Sequence, residues 1–481
     1  MQFTQTELIN AALSDPSRAP MTMEQIIANE ISEFKASPRY ADMLQSEAYY
    51  RNRSSIQNKT VEHKNRSNTK IEHPIYRRLV DQKVRYLLAR PWSVATEDKN
   101  YGEVLTDMFS DAFRRKIRRF TKNAVKDGVG WLQPYVDDAG ELAFMLIPAL
   151  EIVPLWADAE QTKLDSFIRF YKQVVYEGVN RKEVTHAEYW YADGVRRFID
   201  RNNDGHFREL AGEEETHFQY GTQRYNWENV PLIWLRYNDE ELPLLRFVCD
   251  LIDDYNWQTS VTADVLRDVA KIVYVLRNYG GQDINTFVKE LRDALAIQVE
   301  GDGGVDTIKA DIDVDSVLAF LDKQRRDTYE FASAVDTKDP DLGNASGKAI
   351  GFRYMDLDAD CTDLGAALSD SFEQMKPFID TWLQAAGKGD FSASDFEIVF
   401  NKDMPIDETE IITNINASAN LLSKRTQLEN HPWVTDVDEE LKAIEEDRKK
   451  AMKEFGEDLF HDHNDDDDDP KGGVKDGKQT E

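Results

Sequence analysis

The stretch that decides the fold is residues 240–268, EELPLLRFVCDLIDDYNWQTSVTADVLRD. Its apolar residues recur three and four positions apart, which predicts an amphipathic helix. They are Leu244, Leu245, Val248, Leu251, Ile252 and Tyr255. A helix over the whole stretch is about 40 Å long at about 1.5 Å per residue. So narrow an apolar stripe on so long a helix needs a second helix to cover it.

The best local candidate for that second helix is residues 313–335. Its apolar side chains are Val314, Val317, Leu318, Leu321 and Tyr329. The chain is therefore expected to run out along one helix and to return along the other.

Residues 269–312, between the two helices, predict a small α/β module. Lys271–Leu276 reads as a strand that stops at Tyr279, and 283–295 has helical spacing. A hairpin of 296–300 with 305–308 is expected around Gly301, Asp302, Gly303 and Gly304. Such a module is small enough to need another copy or a partner for stability.

A polar loop at residues 336–345 separates the return helix from a third helical pattern. The return helix is expected to end near Ala334, because Pro340 lacks an amide donor and Gly343 favours a turn. Ser346 is a suitable N-cap for the next helix, in which Pro377 predicts a kink.

The first 239 residues predict an α+β region. Helices are expected over 21–34, 76–88 and 101–127, and strands over 131–136, 142–147, 167–176, 188–191 and 197–199, with a turn at 137–140. The third helix carries a cationic cluster of Arg114, Arg115, Lys116, Arg118, Arg119 and Lys122. A solvated face or contact with an acidic neighbouring subunit explains this cluster better than nucleic acid does.

Composition limits the classes of function. At 481 residues with 41% hydrophobic content, the chain should form more than one domain with an ample core. Its net charge of −31 argues against a protein that grips DNA, which should be basic. This negative charge is compatible with a channel through which DNA slides, because like-charged walls repel phosphate.

The two cysteines, Cys249 and Cys361, indicate a reducing compartment without a disulfide framework. The sequence shows no signal peptide and no apolar run near 18 residues, so we expect no membrane association. Synthesis in a cytoplasm is expected.

Three local patterns imitate catalytic or metal-binding motifs. Asp200–Gly205 resembles half of an EF-hand loop, but Ala211 occupies the position of the bidentate Glu, so a β-turn is favoured. Gly343–Lys348 is one residue short of a phosphate-binding loop. In the tail, 456–481, ten acids against three lysines predict disorder rather than a metal site at His461–His463. We therefore predict no catalysis and no cofactor.

Five segments together resemble the portal proteins, the head-to-tail connectors of long-tailed double-stranded-DNA bacteriophages. The resemblance covers about residues 45–450 in the same order. Its segments are Ile71–Pro91, Leu251–Asn256, Ala345–Leu357, Phe400–Glu410 and Asn430–Glu440.

The resemblance implies an α+β portal fold and a ring, usually of twelve identical subunits, at one capsid vertex of the virion. It assigns a two-helix stem to 240–268 and 313–335, a small α/β clip to 269–312 and a tunnel loop to 336–345. The wing comprises 1–239 and 346–400, the latter with a long kinked helix. A helical crown covers 401–455, and 456–481 is a disordered acidic tail.

It also implies partners and sites. Expected partners are other copies of the chain, the DNA in the channel, the terminase motor, a head-tail adaptor, and the major capsid and scaffolding proteins. The cations nearest the DNA are Lys338 and Lys348, with Asn344 able to donate to phosphate. Tyr279 and Gly301–Gly304 are the expected docking residues of the clip.

Two other classes stay open from the residues alone. A packaging ATPase should carry a genuine phosphate loop on a strand, and the sequence lacks one. Another virion structural protein, a capsid or adaptor subunit without a DNA channel, is the stronger alternative. The pair of long helices argues against it, and an electron micrograph showing or lacking a ring would decide.

Overall fold

The computed structural model describes residues 4–14, 21–60, 67–210, 215–269, 273–277, 283, 285, 304–308, 314–338, 347–401, 408–434 and 436–461. Within it the fold mixes helix and sheet, as predicted. The chain divides into two compact units, Met1–Asn344 with Phe352–Met404, and Ala345–Gly351 with Pro405–Glu481.

Four helices position the candidate functional site. They are the anchor helix Ile75–Leu88, the outgoing helix Leu245–Val269, the return helix Val314–Phe331 and the long helix Gly347–Ala385. The other helices described are Gln5–Ser14, Met23–Ala36, Pro38–Tyr50, Lys99–Met108, Asp111–Asp127, Glu408–Ser418, Lys424–Glu429 and Val437–His461.

The strands form antiparallel sheets. One sheet has five strands in the order β4 (Ile152–Trp156), β5 (Leu164–Glu177), β6 (Asn180–Tyr191), β7 (Gly194–Asp200) and β8 (Arg208–Glu209). A second has β2 (Val129–Val136) between β3 (Leu142–Ile147) and β11 (Ile233–Arg236). Two-stranded pairs join β1 (Ser93–Ala95) to β14 (Glu397–Val399), β9 (Phe218–Tyr220) to β10 (Gln223–Tyr225), and β12 (Val273–Arg277) to β13 (Gly304–Ile308).

Two turns predicted from the sequence are confirmed. Val136 faces Leu142 across the first hairpin, and Asp137 Oδ1 accepts from the amides of Ala139 and Glu141, each at 2.9 Å. At the end of β7, the buried Asp200 carboxylate accepts from the backbone amides of Asn202 and Gly205. Its oxygens thus hold a turn of the chain between two strands, as a β-turn requires.

The two largest apolar cores among the described residues lie in the first unit. The larger surrounds the anchor helix, with Leu79 and Val80 fully buried, and includes Phe372 and Ile379 of the long helix. The smaller packs the first helices against the sheets and includes the fully buried Trp131 of β2. Neither cysteine forms a disulfide, and Cys361 is buried beside the anchor helix.

The outgoing and return helices are both present, with corrected ends. The outgoing helix begins at Leu245 rather than at 240, because Pro243 disfavours helical geometry in the residue before it and Glu241 has a φ of 54°. The return helix ends at Phe331 rather than near Ala334, two residues before Ser333, which has a φ of 46°. A residue with a positive φ has a left-handed backbone conformation and cannot continue a right-handed helix.

One side chain of the return helix is exposed, although it was predicted to be buried against the outgoing helix. Leu318 was expected to cover the outgoing helix, but it is 56% exposed. The packed face of the return helix carries the predicted Tyr329 together with Gln324 and Thr328, all buried. Two polar side chains therefore contribute to a face that was predicted to be apolar.

The single helix predicted over 101–127 is wrong. The chain forms two helices, interrupted at Phe109 and Ser110. Phe109 is 1% exposed and lies against Trp92, Phe113 and Phe372, with ring centroids 4.9–5.6 Å apart. Burying this ring in the core favours the break over continued helical periodicity.

The strand 304–308 pairs with Val273–Arg277, with Gly304 opposite Arg277. The predicted strand at 271–276 is thereby confirmed from residue 273 onward, and residues 271 and 272 lie outside the described residues. Residues 296–300, the predicted hairpin partner, lie outside the described residues, as does the predicted helix at 283–295 apart from 283 and 285.

The second unit is helical where it is described. Its last helix reaches His461, so the tail boundary predicted at 456 is too early. Gly456 lowers helix propensity by only about 1 kcal/mol relative to Ala, which does not end a helix. Residues 462–481 lie outside the described part.

An extended segment, residues 67–73, lies along the outgoing helix and is joined to it by side chains. Asn256 Oδ1 accepts from the amide of His73 (3.0 Å), Ser260 Oγ from that of Ile71 (2.9 Å) and Asp264 Oδ1 from that of Thr69 (2.6 Å). Asp268 accepts from the amide of Ser67 at 3.3 Å. We call this arrangement the polar ladder.

Candidate functional site at the root of the loop between the helices

The segment that leaves the return helix, residues 333–338, is held against the anchor helix, and we call it the loop root. Gln82 makes two hydrogen bonds with the backbone of Val335. Its Nε2 donates to the carbonyl oxygen at 2.8 Å, and its Oε1 accepts from the amide at 3.1 Å. A side-chain amide that satisfies both backbone groups of one residue fixes that residue as a strand partner would.

Asp336 closes the return helix onto its own loop. Arg325 donates to both carboxylate oxygens, with 2.9 Å from Nη2 to Oδ1, and the amide of Lys338 donates to Oδ1 at 3.1 Å. Burial opposes ionisation, but these hydrogen bonds hold the pKa of Asp336 below its ordinary value. The pair is therefore charged at neutral pH, with the bidentate geometry that makes such pairs strong.

Arg78 of the anchor helix ties the same loop from the other side. Its Nη2 donates to the hydroxyl of Thr337 at 2.7 Å and lies 3.9 Å from Asp336 Oδ1. Its guanidinium also lies 5.6 Å from the ring centroid of the buried Tyr329. Three contacts to three residues leave this side chain little freedom.

A buried charge lies beneath these contacts. Lys83 is fully buried, and its Nζ donates to the carbonyl oxygen of Ser333 (3.1 Å) and to Asp360 Oδ2 of the long helix (2.8 Å). The Tyr237 hydroxyl donates to Asp360 Oδ1 at 3.0 Å. Burial and the neighbouring carboxylate raise the pKa of Tyr237, so it remains a neutral donor. Lys83 thus links the loop root to the long helix.

Two of the three residues predicted nearest the DNA lie in the described structure, in different units. Lys338 is exposed in the turn after Asp336. Lys348 is the second residue of the long helix, and Asn344 lies outside the described residues. Of the predicted docking residues, Gly304 begins β13, whereas Tyr279, Gly301, Asp302 and Gly303 lie outside the described part.

The cationic cluster on Asp111–Asp127 serves mainly local structure. Arg114 lies over the ring of Trp92 at 5.0 Å, Lys116 donates to the carbonyl oxygen of Phe144, and Lys122 pairs with Asp81 at 3.0 Å. These contacts favour a structural role for the cluster over nucleic-acid binding.

The described residues contain no group of three or more His, Cys, Asp or Glu side chains placed to hold a metal ion. None of the helices searched in the described part is both long and apolar enough to cross a membrane. What the loop-root residues can do chemically is position a loop firmly between two helices.

Sequence reasoning missed the residues that hold this loop. Arg78, Gln82 and Lys83 lie in the predicted helix 76–88, but their partners are about 250 residues away in the chain. The available signal was a cluster of three polar residues within an otherwise apolar helix, including a lysine at a position that the helical period buries.

Comparisons with known proteins match most of the chain. The family model "Phage portal protein, SPP1 Gp6-like" matches residues 35–454. The portal protein of Bacillus phage SPP1 is 30% identical over 419 residues, covering 85% of this chain and 82% of the relative. The portal protein of Clostridium phage phiCD119 is 25% identical over 443 residues, covering 87% of this chain and 95% of the relative.

These matches define a structural component of the phage head. The chain belongs to the SPP1 Gp6-like family of phage portal proteins, and the resemblance drawn from its sequence segments is thereby confirmed.

Proposed function

We propose that this chain is the portal subunit at one capsid vertex, where copies form a ring around a channel for genome packaging and ejection. The family match over residues 35–454 carries this proposal. The ring also serves as the docking platform for the terminase motor and the head-tail adaptor, next to the capsid and scaffolding proteins. Its role is structural and not catalytic, and it is synthesised in the host cytoplasm before it enters the virion.

Exposed apolar side chains on the helix pair support assembly. Trp257 and Leu266 of the outgoing helix are 46% and 50% exposed, and Leu318 and Phe320 of the return helix are 56% and 46% exposed. Large apolar side chains left exposed along a helix can be covered by contact with another molecule. In a ring, neighbouring copies of the same two helices would cover them, so the two helices are assigned to the stem.

Contacts at the loop root support the proposal that residues 336–345 form the tunnel loop. Contacts of Gln82, Arg78 and Arg325 fix where the loop at 336–345 leaves the helices. Copies of a loop held so firmly at its base would present the same residues to the channel in every subunit. Lys338, Asn344 and Lys348 are the proposed contacts with DNA phosphates.

The module at 269–312 is proposed as the clip, to which motor and adaptor bind. The paired strands β12 and β13 give it a fixed base. Replacing Tyr279 or shortening Gly301–Gly304 is expected to leave ring formation intact and to impair packaging or tail joining. Loss of soluble rings instead would indicate an internal brace.

The ring itself is tested by electron microscopy and mass measurement of the purified protein. A wide ring with a central hole is expected, with a mass many times that of the 55.4 kDa chain. A monomer at micromolar concentration under all salt conditions would refute the proposal. A compact assembly without a hole would favour the alternative of another virion structural subunit.

A further inference from the structure

An arginine-lined groove lies beside the loop root. Arg77, Arg78 and Arg85 of the anchor helix line it, together with Tyr354 and Leu357 of the long helix. Asp81 is the carboxylate among its lining residues, and it is already paired with Lys122 at 3.0 Å and accepts from the Tyr50 hydroxyl at 2.9 Å. The groove therefore carries positive charge in a chain whose net charge is −31.

Two of these arginines are available to a ligand. Arg85 is exposed and makes no ion pair or side-chain hydrogen bond in the described part of the chain. Arg77 is 61% exposed, and its ion-pair contact is 3.8 Å to the shared Asp81. They lie eight residues apart, about 12 Å along the helix at about 1.5 Å per residue. Arg78, by contrast, is committed to Thr337.

A second, larger groove has the opposite charge. It is lined by β11, the segment after it and the long helix, and its carboxylates include Asp239, Glu240, Asp363, Asp370 and Glu373. All five are exposed, and none forms an ion pair or a side-chain hydrogen bond within the described residues. Arg236, the positively charged residue that lines this groove, is already paired with Glu241 at 2.8 Å.

The two grooves open on opposite sides of the long helix. Tyr354 lines the basic groove and Asp363 lines the acidic groove. These residues are nine positions apart, about two and a half turns at roughly 3.6 residues per turn, so they project in opposite directions. Asp370 follows Asp363 by seven residues, about two turns, and projects on the same side as Asp363.

A head-to-tail contact between identical subunits needs two surfaces of opposite charge on different sides of each subunit. In such a contact each copy uses one surface to bind the next copy and a different surface to be bound, and a closed set forms a ring. Local pairing of charges also offsets the repulsion between subunits that each carry a net charge of −31.

DNA is the less favoured occupant of the basic groove. Guanidinium forks hold phosphate bidentately, and many such contacts around a channel would resist sliding. DNA would also leave the acidic groove without explanation, whereas a second copy accounts for both grooves with one contact.

We propose that the basic groove, through Arg77 and Arg85, binds the acidic groove of a neighbouring copy through Asp363 and Asp370. This inference rests on the proposed ring and names a surface on which it closes.

Two charge-reversed variants test the contact, R77E/R85E and D363K/D370K. Each alone juxtaposes like charges, so the protein concentration needed for ring assembly should rise by about tenfold or more. In an equal mixture, every contact can again join opposite charges if the two chains alternate. Mixing should therefore restore rings that contain both chains in equal amounts, measured by native mass spectrometry.

The matched control is R181E/R208E, which makes the same charge change at exposed arginines of β6 and β8 and should assemble like the wild type. Circular dichroism of each variant confirms that it is folded. Normal ring assembly by R77E/R85E, or folded variants that mixing does not rescue, would overturn the proposal. If R77E/R85E forms rings but loses packaged DNA, the groove faces DNA instead. A wild-type chain that forms no ring would contradict the proposed function itself.

Discussion

Replacing Lys83 by methionine tests whether the loop root depends on one buried charge. Methionine keeps much of the volume but removes the ammonium that Asp360 and the Ser333 carbonyl share. Removing one partner of a buried ion pair costs about 3–5 kcal/mol, because the other charge remains buried. The Asp360 side chain is 22% exposed and keeps its bond from Tyr237, which places the expected loss near the lower limit, at about 3 kcal/mol.

The assay is urea unfolding followed by tryptophan fluorescence at pH 7.5, at several protein concentrations because association contributes to apparent stability. Lys122→Met is the matched control. Its ion pair with Asp81 is 34% exposed at the lysine, so its loss should cost less than about 1 kcal/mol. Adding Asp360→Asn to the Lys83→Met variant should recover about 1 kcal/mol or more by removing the stranded charge. If Lys83→Met destabilises the protein no more than Lys122→Met does, the reasoning is refuted.

Three further predictions concern charge. Burial raises the pKa of Asp127 from 3.8 to about 7, so the folded state binds this proton more tightly than the unfolded state and stability should fall as pH rises between those values. Asp127→Asn should therefore stabilise the protein at pH 8 and have little effect at pH 4, measured by urea unfolding at both; equal effects would contradict the assignment. The double variant K338E/K348E should form intact rings that package or retain less DNA, and full packaging would show that these lysines do not meet the duplex. Ring assembly of the wild type should improve with added salt or divalent cation, because screening reduces repulsion between subunits of net charge −31; light scattering that shows no salt dependence would argue against this.

Local patterns predicted the elements of the fold where local chemistry decides them. The turn at 137–140 and the strands beside it followed from alternation and turn residues, and the structure confirms their pairing. The outgoing and return helices followed from apolar periodicity, with ends that Pro243 and Ser333 displaced by a few residues. These helix ends depend on the backbone conformation of single residues, and the periodic spacing of apolar residues does not reveal that conformation.

Features made by distant residues could not be predicted in this way. The break at Phe109 reflects packing against Phe372, more than 260 residues later, and nothing in the local helical pattern marks it. The bond of Gln82 to Val335 likewise joins residues separated by 253 positions. The loop at 336–345 stays a prediction beyond Lys338, and the residues that hold its base became apparent only when the chain was folded.

The polar ladder implies a rule for which changes in chain length this region can accommodate. Its helical members recur every four residues, at Asn256, Ser260 and Asp264, about 6 Å apart at about 1.5 Å per residue. Its extended members recur every two residues, at His73, Ile71 and Thr69, about 6.6 Å apart at about 3.3 Å per residue. The two spacings nearly coincide, which is why successive side chains meet successive amides.

Deleting one residue between 67 and 73 would turn the alternate amides away from the helix, because the extended chain repeats every two residues. Deleting one residue from the helix would rotate the carboxylate and hydroxyl groups beyond the cut by about 100° relative to those before it. Removing two residues from the segment together with four from the helix would keep both in step. Length variation among functional relatives should therefore be paired here, two residues in one segment for four in the other.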